Sequence, residues 1–145
     1  MLTQFKEIKC FVFDVDGVLT DSTVLVFDDA QQIRQMNTRD GYALQLAVKK
    51  GYHVVVISGG TSEGVRHRLN YLGVKSVFLQ VENKKQKLSE YITQNNINWQ
   101  QVLYMGDDIP DYMVMKVAGL PCCPSDAVNE IKEISKYVSD RKSVV

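Results

Sequence analysis

Long hydrophobic runs are missing from this 145-residue sequence. A bilayer-spanning helix needs roughly 20 consecutive apolar residues, so no membrane span is predicted. The N-terminal stretch Met1 to Lys9 is charged and has no apolar h-region, so no secretory signal is expected there. Excess charge is missing as well: 17 Lys and Arg balance 17 Asp and Glu. A neutral chain lacks the field that draws proteins to nucleic acid or to anionic membranes, so neither is an expected partner. Cysteine is scarce, at three, and Cys122 and Cys123 are adjacent. That odd number and spacing suit neither a disulfide framework nor a zinc site, and the expected setting is a reducing cytoplasm. There are three prolines and no Gly- or Ser-rich stretch, so nothing marks a linker. At roughly 100–200 residues per domain, one domain over residues 1–145 is expected.

What is present is an alternation of two patterns. Short apolar runs read as strands: Ile8–Phe13, His53–Ile57, Ser76–Leu79, Val102–Met105 and Gly119–Cys123. His53–Ile57 is continuous and β-branched, as in a strand covered on both faces. Between them lie helical spacings. Ala43, Leu46 and Ala47 form one, and Val65, Leu69 and Leu72 another. Leu88, Tyr91 and Ile92 follow, then Met113, Val114 and Val117. The last is Ala127, Val128, Ile131 and Ile134, with Asp126 as the expected N-cap. Alternating strands and helices predict an α/β, Rossmann-like domain, a doubly wound parallel sheet between helices. One segment departs from this rhythm. Thr23–Phe27 and Gln32–Met36 flank Asp28-Asp-Ala-Gln31, which predicts a projecting β-hairpin over about residues 23–36. It is rich in apolar residues for an isolated ribbon, so it is expected to pack against another subunit.

Polar residues gather where the strands end. Ligands bind outside the carboxyl ends of such strands. Asp14 and Asp16 follow the first strand, and alternation sends both carboxylates to one side with Val15 opposite. Carboxylates that close repel unless a cation lies between them or one is protonated; either state suits nucleophilic or acid–base chemistry. Asp107, Asp108 and Asp111 follow Gly106 and make a hard-oxygen cluster suited to Mg²⁺. Helix-terminal acids are also favoured by the macrodipole, which accounts for Asp111 better than for Asp107. Ser58, Gly59 and Gly60 end the most apolar strand, where a hydroxyl and main-chain N–H groups can hold a phosphoryl group. Lys84 falls near the start of a helix.

The order of these features along the chain carries more than any one of them. Asp14-Val-Asp-Gly-Val-Leu-Thr20, Ser58, Lys84 and Gly106-Asp-Asp-Ile-Pro-Asp111 together resemble the haloacid dehalogenase superfamily of aspartate-nucleophile phosphatases. The hairpin, Arg39-Asp-Gly41, Val65-Arg-His-Arg68, Leu72-Gly-Val74 and Tyr104-Met-Gly-Asp-Asp108 resemble its small branch without a cap domain, which includes the 3-deoxy-D-manno-octulosonate 8-phosphate phosphatases. The resemblance implies a Mg²⁺-dependent phosphatase of lipopolysaccharide biosynthesis, acting on a phosphorylated sugar acid. It also implies a homotetramer assembled through the hairpins.

By the same resemblance, Asp14 is the nucleophile and Asp16 the general acid and base. The metal falls to Asp14, the Asp16 carbonyl and Asp107. Ser58, Gly59 and Lys84 hold the phosphoryl group. Asp108 orients Lys84 or a water on the metal, and Asp111 stands behind the ligands. Arg39, Arg66 and Arg68 are candidates for the sugar-acid carboxylate on charge alone. Two departures are visible. Many relatives carry Arg where this chain has Gly60, and they continue with a Gly-rich, Arg-bearing tail where this sequence ends at Arg141-Lys-Ser-Val-Val145. Three alternatives remain open: a phosphatase for a nine-carbon sugar-acid 9-phosphate, a catalytically weak tetrameric relative, and a receiver-like phosphoacceptor.

Overall fold

The computed structural model describes residues 2–140, so the end of the sequence from position 141 lies outside the described residues. Six parallel strands form the main sheet: β1 (Cys10–Phe13), β4 (His53–Ile57), β5 (Ser76–Phe78), β6 (Val102–Met105), β7 (Leu120–Pro124) and β8 (Tyr137–Ser139). Their order is β5-β4-β1-β6-β7-β8. The chain winds outward from β1 through β4 to β5, then returns to β1's other side and winds out through β6, β7 and β8. That reversal places a crevice at the ends of the central strands.

Strand alternation explains why both faces are apolar. Phe13, Val54, Val56, Leu103, Met105 and Cys122 point to one face, with Leu44 of α2 (Thr38–Lys49) and Val65 and Leu69 of α3 (Glu63–Tyr71) packed on them. Cys10, Val12, Val55, Ile57, Val102 and Tyr104 point to the other. There they meet Leu88 and Ile92 of α4 (Lys84–Gln94), Val114 and Met115 of α5 (Tyr112–Val117), and Ile131 of α6 (Asn129–Ile134). Each fully buried aliphatic side chain contributes roughly 1.5–3 kcal/mol, so the two layers fix the strand register firmly. All three cysteines are buried and free. Desolvation pushes the Cys10 and Cys122 thiols up to about 12, which leaves them protonated and inert.

Two elements went unread in the sequence, helix α1 (Leu2–Glu7) and edge strand β8. The expected Asp126 cap is corrected to Val128, from which α6 starts without a side-chain cap. The hairpin is present but short, with β2 (Leu25–Val26) paired antiparallel to β3 (Gln32–Ile33). The described residues contain no cap domain between it and α2. No described helix is long and apolar enough to cross a membrane.

Candidate active site

The sharp turn after β1 is built by Thr20. Its Oγ1 accepts from the Gly17 N–H at 3.3 Å, and the N–H groups of Val18, Leu19 and Thr20 all reach the Val15 carbonyl. Gly17 lies at φ +86°, where a side chain is strained. A Cβ there would stand 1.7 Å from Asp107 Oδ2, so the turn is pressed onto that carboxylate in a way only glycine permits. Gly106 is similarly constrained, since its Cβ would lie 2.6 Å from the Asp111 side chain.

These turns bring the sequence's candidates together. Asp14, Asp16, Ser58, Gly59, Gly60, Lys84, Asp107 and Asp108 line one cleft of about 860 Å³ at the carboxyl end of the sheet. Asp14 is buried, while Val15 points into the core on the opposite side, as alternation requires. Ser58 is buried, and its Oγ accepts from the Gly60 N–H at 3.0 Å. That bond fixes the oxygen and leaves the hydroxyl free to donate. Lys84 opens α4 behind the Asn83 cap and is buried, its Nζ 3.1 Å from Asp14 Oδ1 and 2.8 Å from Asp111 Oδ1.

Asp111 has no exposed surface at all. Its Oδ1 accepts from Lys84 and from the Tyr104 hydroxyl at 2.8 Å, and its Oδ2 from the Asp107 N–H at 3.2 Å. The expectation that Asp108 orients Lys84 is therefore corrected: Asp111 does so, while Asp108 turns back to accept from the Ile109 N–H. Burial and the neighbouring Asp111 charge push the Asp14 carboxyl up to about 8, against the opposing pull of Lys84. Burial alone would lower the Lys84 ammonium, but the charges of Asp111 and Asp14 outweigh it and hold the group above its ordinary value. Burial and the adjacent carboxylates push the Tyr104 phenol well above its ordinary value, so it serves as a neutral donor.

The arginines divide differently from the expectation. Arg39 is exposed. Arg66 donates to the Val77 carbonyl at 2.8 Å and pairs with Glu63. Neither lines this cleft. Arg68 lines a neighbouring cavity of about 790 Å³ between the hairpin and the start of α3. Two residues escaped the sequence reading. Tyr104 had a usable signal, since a phenol in an otherwise apolar buried strand must find a hydrogen-bond partner. Arg34 had none: it comes from the hairpin and reaches Asp16 through Nε at 2.6 Å and Nη2 at 3.2 Å.

Comparison with known proteins agrees with this geometry. Residues 80–144 match the haloacid dehalogenase-like hydrolases. The 3-deoxy-D-manno-octulosonate 8-phosphate phosphatase of Salmonella typhi is 30% identical over 127 residues, which cover 88% of this chain and 68% of that protein. The Moraxella catarrhalis phosphatase of the same name, crystallised with magnesium, phosphate and KDO, superposes with a TM-score of 0.93 at 25% identity, over 97% of this chain and 81% of that one. A cobalt-bound Haemophilus influenzae phosphatase gives 0.91 at 28% identity, over 97% and 82%. At 30% identity over more than two thirds of that relative, and with the same fold, the chain belongs to the haloacid dehalogenase superfamily, in the family of the 3-deoxy-D-manno-octulosonate 8-phosphate phosphatases.

Proposed function

We propose that this protein is a Mg²⁺-dependent phosphatase that hydrolyses 3-deoxy-D-manno-octulosonate 8-phosphate to the free sugar acid and phosphate, a step of lipopolysaccharide biosynthesis in the cytoplasm. The observation that supports it is the convergence of Asp14, Asp16, Ser58, Lys84 and Asp107 on one cleft. The relatives' shared activity supplies the substrate.

The donor set fits the metal. Carboxylate oxygens of Asp14, Asp107 and Asp111 lie within 4.8 Å of one another, all hard ligands. Both Asp111 oxygens are engaged by Lys84, Tyr104 and the Asp107 N–H, so the ion falls to Asp14 and Asp107. By the family resemblance, the Asp16 carbonyl would be the third protein ligand. Bound there, Mg²⁺ supplies positive charge between nucleophile and phosphate. Asp14 attacks phosphorus in line, forming an aspartyl-phosphate as the bond to the sugar oxygen breaks. Asp16 gives that oxygen a proton, then takes one from the water that hydrolyses the acyl phosphate. Ser58 and Lys84 donate to the phosphoryl oxygens, and their charge and dipoles favour the transition state over the ground state.

Phosphate release from 3-deoxy-D-manno-octulosonate 8-phosphate tests this reading. The expected result is turnover with Mg²⁺, abolished by excess chelator, and faster than on the nine-carbon 9-phosphate. Full turnover in chelator, or none on either sugar acid, would contradict it.

The assembly is proposed to be a homotetramer through the hairpins. Two-residue strands are marginal alone, yet Leu25 is 63% and Val26 68% exposed. Covering each is worth roughly 1.5–3 kcal/mol, which a second copy of the same ribbon supplies. Sedimentation at micromolar concentration should give a tetramer that Leu25→Glu and Val26→Glu dissociate. A stable wild-type monomer would refute it.

A further inference from the structure

The hairpin does more than offer an apolar tip. Directly after β3, it places Arg34 against Asp16, 18 residues earlier in the chain. The arginine side chain keeps only 10% of its surface exposed, whereas Asp16 keeps 46%. The guanidinium is thus the fixed partner and the carboxylate the one facing solvent and cleft. The two hydrogen bonds are unequal. Nε to Oδ1 is short, at 2.6 Å, and Nη2 to Oδ2 long, at 3.2 Å. A charge-assisted bond near the lower end of the usual range holds its acceptor strongly, and one at the upper end is readily exchanged. Gly60 belongs to the same corner. A Cβ there would stand 3.4 Å from Arg34 Nη2, so a longer side chain at position 60 would compete with the guanidinium for space.

We propose that Arg34 is a positioning residue for Asp16: its Nε anchors Oδ1, so that Oδ2 is presented to the oxygen that leaves phosphorus. This rests on the reading of Asp16 as general acid. In the first half-reaction the P–O bond to the sugar breaks, its electron pair goes to the sugar oxygen, and a proton that Oδ2 has first taken from solvent passes to that oxygen. The long Nη2 contact opens to make room, while the short one keeps the carboxyl group in place. The hairpin, bearing no group that touches phosphorus, then governs how well the acid is aimed.

The consequence is a dependence on leaving group. An alkoxide needs its proton, whereas 4-nitrophenolate departs without one. A misaimed acid therefore penalises sugar phosphates and spares the aryl ester. The parameter to read is kcat/KM, which reports steps up to aspartyl-phosphate formation and is blind to the shared hydrolysis of that intermediate. Arg34→Gln should lower kcat/KM for the sugar-acid phosphate about 30- to 100-fold, and for 4-nitrophenyl phosphate less than about 3-fold. Arg34→Lys keeps charge but loses the planar fork, and should fall between Arg34→Gln and wild type with the same substrate split. Combined with Asp16→Asn, Arg34→Gln should cost nothing further, because the group it aims is gone.

Equal losses on both substrates would overturn the proposal, as would no loss on either or full additivity with Asp16→Asn. Should Arg34→Gln disturb the hairpin, Arg34→Lys carries the same test. Wild-type turnover of the sugar-acid phosphate, measured alongside, separates failure of this inference from failure of the phosphatase reading.

Discussion

Asp14→Asn is expected to lower phosphate release by at least about 10³, roughly 4 kcal/mol of barrier, with the fold intact. The amide has nearly the shape of the carboxyl but neither the nucleophilic oxygen nor the charge to hold a cation. Stability should not suffer. Without metal, the carboxyl is pushed up to about 8 by burial and by Asp111, so a neutral group already fits the site at pH 7. Rapid quench of wild-type protein should trap phosphate on the enzyme, and the variant should trap none. Retention of more than a tenth of wild-type turnover would exclude Asp14 as nucleophile.

The same residue sets a pH dependence whose sign follows from linkage. An unfolded chain gives Asp14 its ordinary value of 3.8, and the metal-free fold raises it to about 8. The folded state therefore keeps a proton that the unfolded state has lost. The stability this lends is fully present below about pH 4 and is lost as pH rises toward 8. Mg²⁺ competes with that proton, so apparent affinity should weaken by up to about tenfold per unit as pH falls below 8. Calorimetric titration at pH 6.5 and 8.5 should show this dependence, with proton release on binding, in wild type and not in Asp14→Asn.

Most of the candidate site was legible because it depends on local order along the chain. A strand that alternates in and out sends Asp14 and Asp16 the same way, and parallel strands bring Asp14, Ser58 and Asp107 to one end whatever lies between. The strand bounds His53–Ile57 and Val102–Met105 coincide with β4 and β6, since continuous apolar runs leave no other register. What escaped is what depends on contacts distant in sequence. Arg34 resembles any ribbon arginine until the hairpin folds over the β1 turn. The choice of Asp111 over Asp108 as the partner of Lys84 turns on side chains within one short loop, where Pro110 and the 3₁₀ turn Ile109–Asp111 bury one carboxylate and expose the other. Charge alone nominated Arg39 and Arg66, and charge alone carries no direction.

Lys84→Met should damage stability and activity together, through one cause. Lys84 is the cation between the Asp14 and Asp111 carboxyl groups, with 5% of its side chain exposed against 12% for Asp14 and none for Asp111. Taking one partner from a buried pair typically costs about 3–5 kcal/mol, because the remaining charge has neither water nor counterion. Methionine fills much the same volume without a cavity, so the loss reflects charge rather than packing. Asp111 keeps the Tyr104 hydroxyl and the Asp107 N–H, and Asp14, raised to about 8 without metal, is already neutral at pH 7, which limits the cost. Urea unfolding without metal should therefore show a loss within that range, reduced in saturating Mg²⁺ because the ion restores positive charge beside Asp14. Activity does not recover with it. On the proposed mechanism the ammonium is also the donor that meets the phosphoryl oxygens, and a loss of about 10²–10³ in kcat is expected even in excess Mg²⁺. Stability recovering while turnover stays lost separates the two roles of one buried charge. A variant as stable as wild type in chelator would mean that the acidic pair does not need its lysine.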